Sequence, residues 1–293
     1  MGDQMFVATL IAKQGDLTPA LVEALRNAWG GEIVQWLAAD EAAEFALPAV
    51  PGNAHTVWGD LQGQAVDLIV QPFEGRRKKM LLADMDSTMI QQECIDELAA
   101  EAGVGDRVAD ITARAMNGEL DFEAAIDERV GLLAGLDEGI IDHVLETRID
   151  DMPGGRALVQ TMKANGGYAA LVSGGFTAFT SAVAARLGFD ENRANTLGVE
   201  GGVLSGRVVR PILGQQAKLE ALNDITARLG LAHTDVLAVG DGMNDLLMLQ
   251  NAGTGVALHG KPALQEKCDV RVNHGDLTAL LYLQGYAKSE FVT

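Results

Sequence analysis

Met80-Leu81-Leu82-Ala83 runs directly into Asp84-Met85-Asp86-Ser87-Thr88. Four consecutive apolar residues without alternation are the pattern of a short strand buried on both faces of a sheet. Two carboxylates that come within the next three residues then leave the carboxyl edge of that sheet together. Three further runs repeat the design: Tyr168 to Val172, Val236 to Val239 and Gly255 to Leu258, each separated from the next by helical patterns. Alternating buried strands and helices predict a parallel α/β sheet, in which ligands bind beyond the carboxyl ends of the strands.

The residues at those ends carry the chemistry. An Asp-x-Asp alone is expected about once by chance in an acidic chain of this length. Val172, however, is followed by Ser173-Gly174-Gly175-Phe176, where a hydroxyl and backbone N–H groups at a helix start suit a phosphate oxygen. Val239 is followed by Gly240-Asp241-Gly242-Met243-Asn244-Asp245, which adds acids at the same edge. Between those strands, Lys218 in a helical stretch could reach in as a point charge. Taken singly, these are an acidic turn, a Gly-rich turn, a solvated acidic loop and a solvent-facing lysine.

In this order the four stations resemble the haloacid dehalogenase superfamily of aspartate-nucleophile phosphatases, over about Met80 to Thr293. Within it the likeness is to the members that act on O-phosphoserine. The resemblance implies a Rossmann-like parallel core with a helical cap after its first strand. It implies Asp84 as nucleophile and Asp86 as general acid and base. Ser173, Gly174, Lys218 and Asn244 would hold the phosphoryl group. Mg²⁺ would be bound by Asp84, the backbone carbonyl of Asp86, and Asp241, with Asp245 in support. The physical need is plain: a phosphate dianion repels a carboxylate, so attack requires a hard cation and an ammonium to cancel charge. The resemblance further matches Glu93 to a site for the substrate ammonium, Arg129 to one for its carboxylate, and Met116 and Phe122 to an apolar closure. From the residues alone, Glu93 reads as a helix-start charge, Arg129 as a solvent-facing helix residue and the other two as core. The implied reaction is hydrolysis of O-phospho-L-serine through an aspartyl-phosphate, the last step of serine biosynthesis. Another small phosphomonoester, phosphoryl transfer or a non-catalytic binding role are the alternatives.

Outward from the core, residues 91–152 hold four helical patterns: Glu93 to Ala102, Arg107 to Met116, Phe122 to Leu133 and Glu138 to Thr147. An insertion this long is too large for a crossover and is expected to cap the strand ends. The core is then residues 80–90 and 153–293. Residues 1–72 read as strand, helix, strand, weak strand, helix, strand, a small ferredoxin-like α+β unit for regulation or dimerisation. Gln71 to Lys79, with its run Arg76-Arg77-Lys78-Lys79, reads as a solvated linker.

Bulk properties narrow the partners. The 293 residues carry a formal net charge of -19 and are 48% hydrophobic. Such charge repels nucleic acid and anionic lipid, so neither is an expected partner, and a homodimer is left open. The N-terminal residues lack the pattern of a secretory signal and no apolar run is long enough to span a bilayer, so a cytoplasmic enzyme is expected. Cys94 and Cys268 read as buried thiols, and the five histidines, without metal spacing, are assigned no role.

Overall fold

The computed structural model describes residues 4–116 and 119–293, except the side chains of residues 115 and 116. The N-terminal part runs β1 (Phe6–Ala12), α1 (Pro19–Trp29), β2 (Gln35–Ala38), β3 (Ala42–Leu47), α2 (Ala54–Gln62), β4 (Val66–Pro72). Local chemistry sets the helix ends. Thr18 caps α1, its Oγ1 accepting from Leu21 N at 3.3 Å, Pro19 opens the first turn, and Gly30 closes it with φ of 65°. The strands form an antiparallel sheet in the order β2-β3-β1-β4, the ferredoxin-like arrangement expected. The doubtful third strand forms despite its poor strand formers, because Ala43, Phe45 and Leu47 are buried against the helices.

The chain continues with β5 (Met80–Ala83) and four cap helices: α3 (Cys94–Glu101), α4 (Gly105–Met116), α5 (Phe122–Gly131) and α6 (Ile140–Thr147). It then runs α7 (Gly155–Ala164), β6 (Tyr168–Phe176), α8 (Thr177–Leu187), β7 (Glu191–Glu200), β8 (Val203–Val209), α9 (Gln215–Leu229) and β9 (Val236–Gly240). The last elements are α10 (Leu246–Asn251), β10 (Thr254–Leu258), α11 (Pro262–Gln265), β11 (Val270–Val272) and α12 (Ala279–Leu283). The second sheet has the order β11-β10-β9-β5-β6-β7-β8, parallel except for the hairpin partner β8. Strand β5 is central, and the chain fills one side of it before returning to the other. The boundary between β5 and β9 is therefore the switch point where α/β sheets bind ligands.

Met80, Leu81, Leu82 and Ala83 are wholly buried, as a doubly covered strand requires. Leu81 and Ala83 pack toward one layer while Met80 and Leu82 pack toward α9 and α10 on the other. Each such fully buried Leu contributes roughly 1.5–3 kcal/mol. No helix among the described residues is long and apolar enough to cross a membrane.

The N-terminal sheet uses both its faces. Along β4, Val66 and Leu68 join the layer under α1 and α2, while Ile69 joins the main core with Tyr282 of α12. Gln71, on that second face, donates to Leu283 O at 2.7 Å. The segment 71–79 is largely exposed, as a solvated linker would be, but it is anchored at several points, which the sequence expectation did not include. Arg76 pairs with buried Glu44 at 2.5 and 2.8 Å, Arg77 lies 4.0 Å over the Tyr286 ring, and Lys79 pairs with Asp235 at 3.0 Å. Each cation of the run that pairs this way finds its acceptor on a neighbouring element, which local sequence does not reveal.

Candidate active site

The carboxyl ends of β5 and β9 bring three acids together. One oxygen from each of Asp84, Asp241 and Asp245 lies within 4.8 Å of the others, and all three residues are buried. Lys218, on the second turn of α9 and 2% exposed, places Nζ 2.6 Å from both Asp84 Oδ1 and Asp245 Oδ1 and donates to the latter. Asp84 Oδ1 itself is buried without an aligned hydrogen bond. Burial, then the charge of Asp245, pushes the Asp84 carboxyl well above the usual carboxylate range. Burial alone would lower Lys218, but Asp245 and Asp84 outweigh it and hold the ammonium charged.

Gly240 is required by this packing. A Cβ there would stand 2.3 Å from the carboxyl carbon of Asp245, whose Oδ2 accepts from the N–H groups of Asp241 (3.1 Å) and Gly242 (3.0 Å). An oxygen-only, buried, electron-rich set of three carboxylates fits a hard divalent cation. The side chain of Asp86 stands outside this cluster. Its Oδ2 accepts from Ser173 Oγ at 3.0 Å and its Oδ1 from Cys94 N, at the start of α3, at 2.8 Å. Asp86 is thus held jointly by the end of β6 and the first helix of the cap.

Ser173, Gly174 and Gly175 do not open a helix, contrary to the sequence reading. They lie in β6, where its register with β7 shifts between Val172 and Phe176, and α8 begins only at Thr177. The bulge turns these residues toward the acids. Ser173 Oγ accepts from Gly175 N at 2.8 Å, and a Cβ on Gly175 would sit 2.7 Å from Asp86 Oδ2.

A cavity of about 620 Å³ opens above this floor, lined from the sheet side by Asp84, Asp86, Ser173, Asp241 and Asn244. On the cap side, Asp121 caps α5 through a 2.7 Å bond from Ala124 N. Phe122, Ile126 and Arg129 then fall on one face at helical spacing, and all three line the cavity. The Phe122 ring, 39% exposed, packs over Gly174 and Gly214. Arg129 bonds only the Ala125 carbonyl of its own helix, at 3.2 Å, and pairs with no acid among the described residues. Burial lowers it below its ordinary value, though Asp96 and Glu93 oppose the shift. Glu93 accepts from Ser87 Oγ at 2.8 Å and is pushed up to about 7 by burial and then by the charge of Asp86. Met116 falls among the side chains outside the described residues.

Sequence reasoning missed three groups here. Ser87, with φ of 54°, turns the chain so that its hydroxyl orients Glu93. Thr112 of α4 lines the cavity with a hydroxyl that has no partner among the described residues. Lys261 places Nζ 3.3 Å from Asp241 Oδ2 and 4.0 Å from Glu93 Oε1. It lies just past the end of β10, so the strand-end rule that picked out Asp84 and Asp241 could have found it. Cys94 is buried and its thiol is pushed up by burial and by Asp86, the state of an inert packing group.

A family model described as haloacid dehalogenase-like hydrolase matches residues 81–250, more than half of the chain. This chain belongs to the haloacid dehalogenase-like hydrolases. The hydrolase is 42% identical over 254 residues to the phosphoserine phosphatase of Streptomyces coelicolor, covering 85% of this chain and 62% of that protein. It therefore spans less than two thirds of that relative's length. A haloacid dehalogenase family hydrolase from Salmonella enterica serovar Typhi superposes with a TM-score of 0.87 at 31% identity, over 95% of this chain and 98% of that one. A substrate-bound phosphoserine phosphatase complex superposes with a TM-score of 0.66 at 38% identity, over 70% of this chain and 97% of that one.

Proposed function

We propose that this hydrolase cleaves O-phospho-L-serine to L-serine and phosphate, with Asp84 as nucleophile. The observation that carries the reading is the pairing of groups across one cavity. Its floor holds Asp84 beside Lys218, and its cap side offers one acid, Glu93, and the guanidinium of Arg129, which has no ion partner among the described residues. That is the complement of a phosphoryl group joined to an amino acid with its ammonium and carboxylate. Two similar proteins bearing the name phosphoserine phosphatase support the choice of ester.

In this reading Ser173 Oγ, the Gly174 backbone and Asn244 hold the phosphoryl oxygens, and Lys218 offsets charge beside Asp84. Asp84 attacks phosphorus and the ester oxygen leaves, taking a proton from Asp86. Asp86, left as carboxylate, takes a proton from water as that water attacks the aspartyl-phosphate, which returns Asp84 and releases phosphate. Mg²⁺, held by Asp84, Asp241 and the backbone carbonyl of Asp86, with Asp245 behind them, would supply the remaining charge cancellation at the phosphoryl oxygens. Glu93 and Arg129 orient the serine moiety, and Phe122 excludes water. Residues 80–90 and 153–293 then carry the chemistry, and 91–152 choose the ester. The test is phosphate release from L-phosphoserine with and without Mg²⁺, against an acceptor-containing panel of other esters. Release that depends on Mg²⁺ and favours phosphoserine is expected; a stronger preference for another ester would overturn the substrate.

A further inference from the structure

Asp67 is wholly buried on the face of β4 turned toward the main core. Its carboxylate gathers three successive backbone donors from the turn after β11: Oδ1 accepts from Asn273 N at 2.8 Å, and Oδ2 from His274 N at 3.0 Å and Gly275 N at 2.8 Å. An anion satisfied by a row of N–H groups fixes that turn firmly. The turn is wedged between the two sheets' neighbours, since a Cβ on Gly275 would lie 3.1 Å from Ala279 and 3.4 Å from Ile11 of β1.

From the turn, contact passes to the site. The carbonyl of Gly275 can only accept, so His259 Nε2, 2.8 Å away, carries the proton between them. His259 is the first residue beyond β10 and adopts φ of 45°, a left-handed conformation that an L residue other than glycine keeps only when its surroundings over-determine it. Those surroundings are the Val272 carbonyl, which accepts from His259 N at 2.8 Å, and the Gly275 carbonyl. The sharp turn delivers Lys261, whose N–H donates to Asp241 O at 2.9 Å while its Nζ stands 3.3 Å from Asp241 Oδ2. Lys261 thus grips Asp241 at both backbone and carboxylate. A pair this exposed contributes little to stability. It does set where the Asp241 carboxylate points.

We infer that the N-terminal sheet is a positioning device for the reacting end of the site: Asp67 fixes the 273–275 turn, the turn holds His259, and His259 places Lys261 on Asp241. Asp67, His259 and Lys261 are positioning residues. The inference rests on the proposed role of Asp241, and it gives residues 1–72 a mechanical function that needs no ligand of their own.

The test uses the full chain with His259→Gly, which keeps the positive φ without strain and removes the ring bond, and with Asp67→Asn, which offers a row of three donors an amide with one acceptor. Three readouts are taken: amide exchange at Lys261, Mg²⁺ affinity by calorimetry, and kcat against KM for phosphoserine. Faster exchange at Lys261 is expected in both, with Mg²⁺ affinity weakened about tenfold, the lower end for groups that orient metal ligands. The kcat should fall more than KM rises, with the melting temperature of His259→Gly unchanged. If Asp67→Asn fails to fold, His259→Gly decides alone. A folded His259→Gly protein with native Lys261 exchange and native Mg²⁺ affinity would overturn the inference. If the unaltered chain neither binds Mg²⁺ nor hydrolyses phosphoserine, the functional reading falls, and Lys261 exchange still decides whether the support exists.

Discussion

At the sheet end of the cavity Asp84, Lys218, Asp241 and Asp245 are each less than a tenth exposed, with Lys218 paired to Asp84 and Asp245 and Asp241 bonded to Asp245 through its N–H. At the cap end Phe122 is 39% exposed, the Glu93 side chain 41%, and Arg129 bonds only its own helix among the described residues. The first set is held by strand ends in a doubly covered sheet, where displacing one group strands its partner in a low dielectric. The second rides on helices that meet the sheet chiefly along β8, where Gly135 N donates to Leu204 O and Leu204 N to Leu136 O, with Asp86 and Phe122 bridging the two sides at the cavity itself. Charge cancellation for the reaction needs groups that do not relax, and admission of a substrate needs groups that can part. The contrast between the two ends reflects those opposite needs.

Substitutions should separate the ends by size of effect. Asp84→Asn is expected to reduce turnover to background on every ester, with the fold retained; phosphate release near the native rate would break the contrast at its root. Lys218→Met leaves Asp84 and Asp245 facing each other without a cation. It should abolish activity and cost about 3–5 kcal/mol in denaturant unfolding, as removal of one partner from a buried ion cluster does. Arg129→Ala acts only at the cap end. Loss of a charge-assisted contact of about 1.5–3 kcal/mol should raise KM for phosphoserine roughly tenfold to a hundredfold and leave hydrolysis of p-nitrophenyl phosphate nearly unchanged.

The pH dependence sharpens the same division. Glu93, pushed up to about 7 by burial and by Asp86, carries its charge above that pH and takes up a proton below it. Binding of the substrate ammonium should therefore weaken as the pH falls from 8 to 6. KM for phosphoserine should rise over this interval, KM for p-nitrophenyl phosphate should not, and Glu93→Gln should remove the difference. Phe122→Ala should have the smallest effect, a few-fold lower kcat/KM on both esters, because a partly exposed ring that packs over Gly174 excludes water without bearing charge.

The sheet end was legible in the sequence because a doubly covered strand must be an apolar run, and the chain leaving such a run must turn at the sheet edge. Asp84, Ser173 and Asp241 were placed at strand ends that way and were joined into one candidate site by the family resemblance, and β5 spans the apolar run Met80–Ala83 itself. The polar strand β7 and the three-residue β11 give weaker signals, since neither is a continuous apolar run. The partners of the basic run 76–79 were missed for a related reason. A cation's partner lies anywhere in the chain, and those of Arg76, Arg77 and Lys79 are Glu44, Tyr286 and Asp235. His259, assigned nothing among five scattered histidines, became informative only through its φ and its bond to Gly275.

Period, composition and spacing along the chain therefore determined the two sheets, the inserted cap helices and the acids at the strand ends, because these depend on neighbours within a few residues. Tertiary structure alone decided that Ser173 lies in a bulge and that Asp67 braces a turn more than two hundred residues away. Such contacts are set by how layers pack, and a lone Asp, Lys or His carries no local mark of the partner that packing will bring to it.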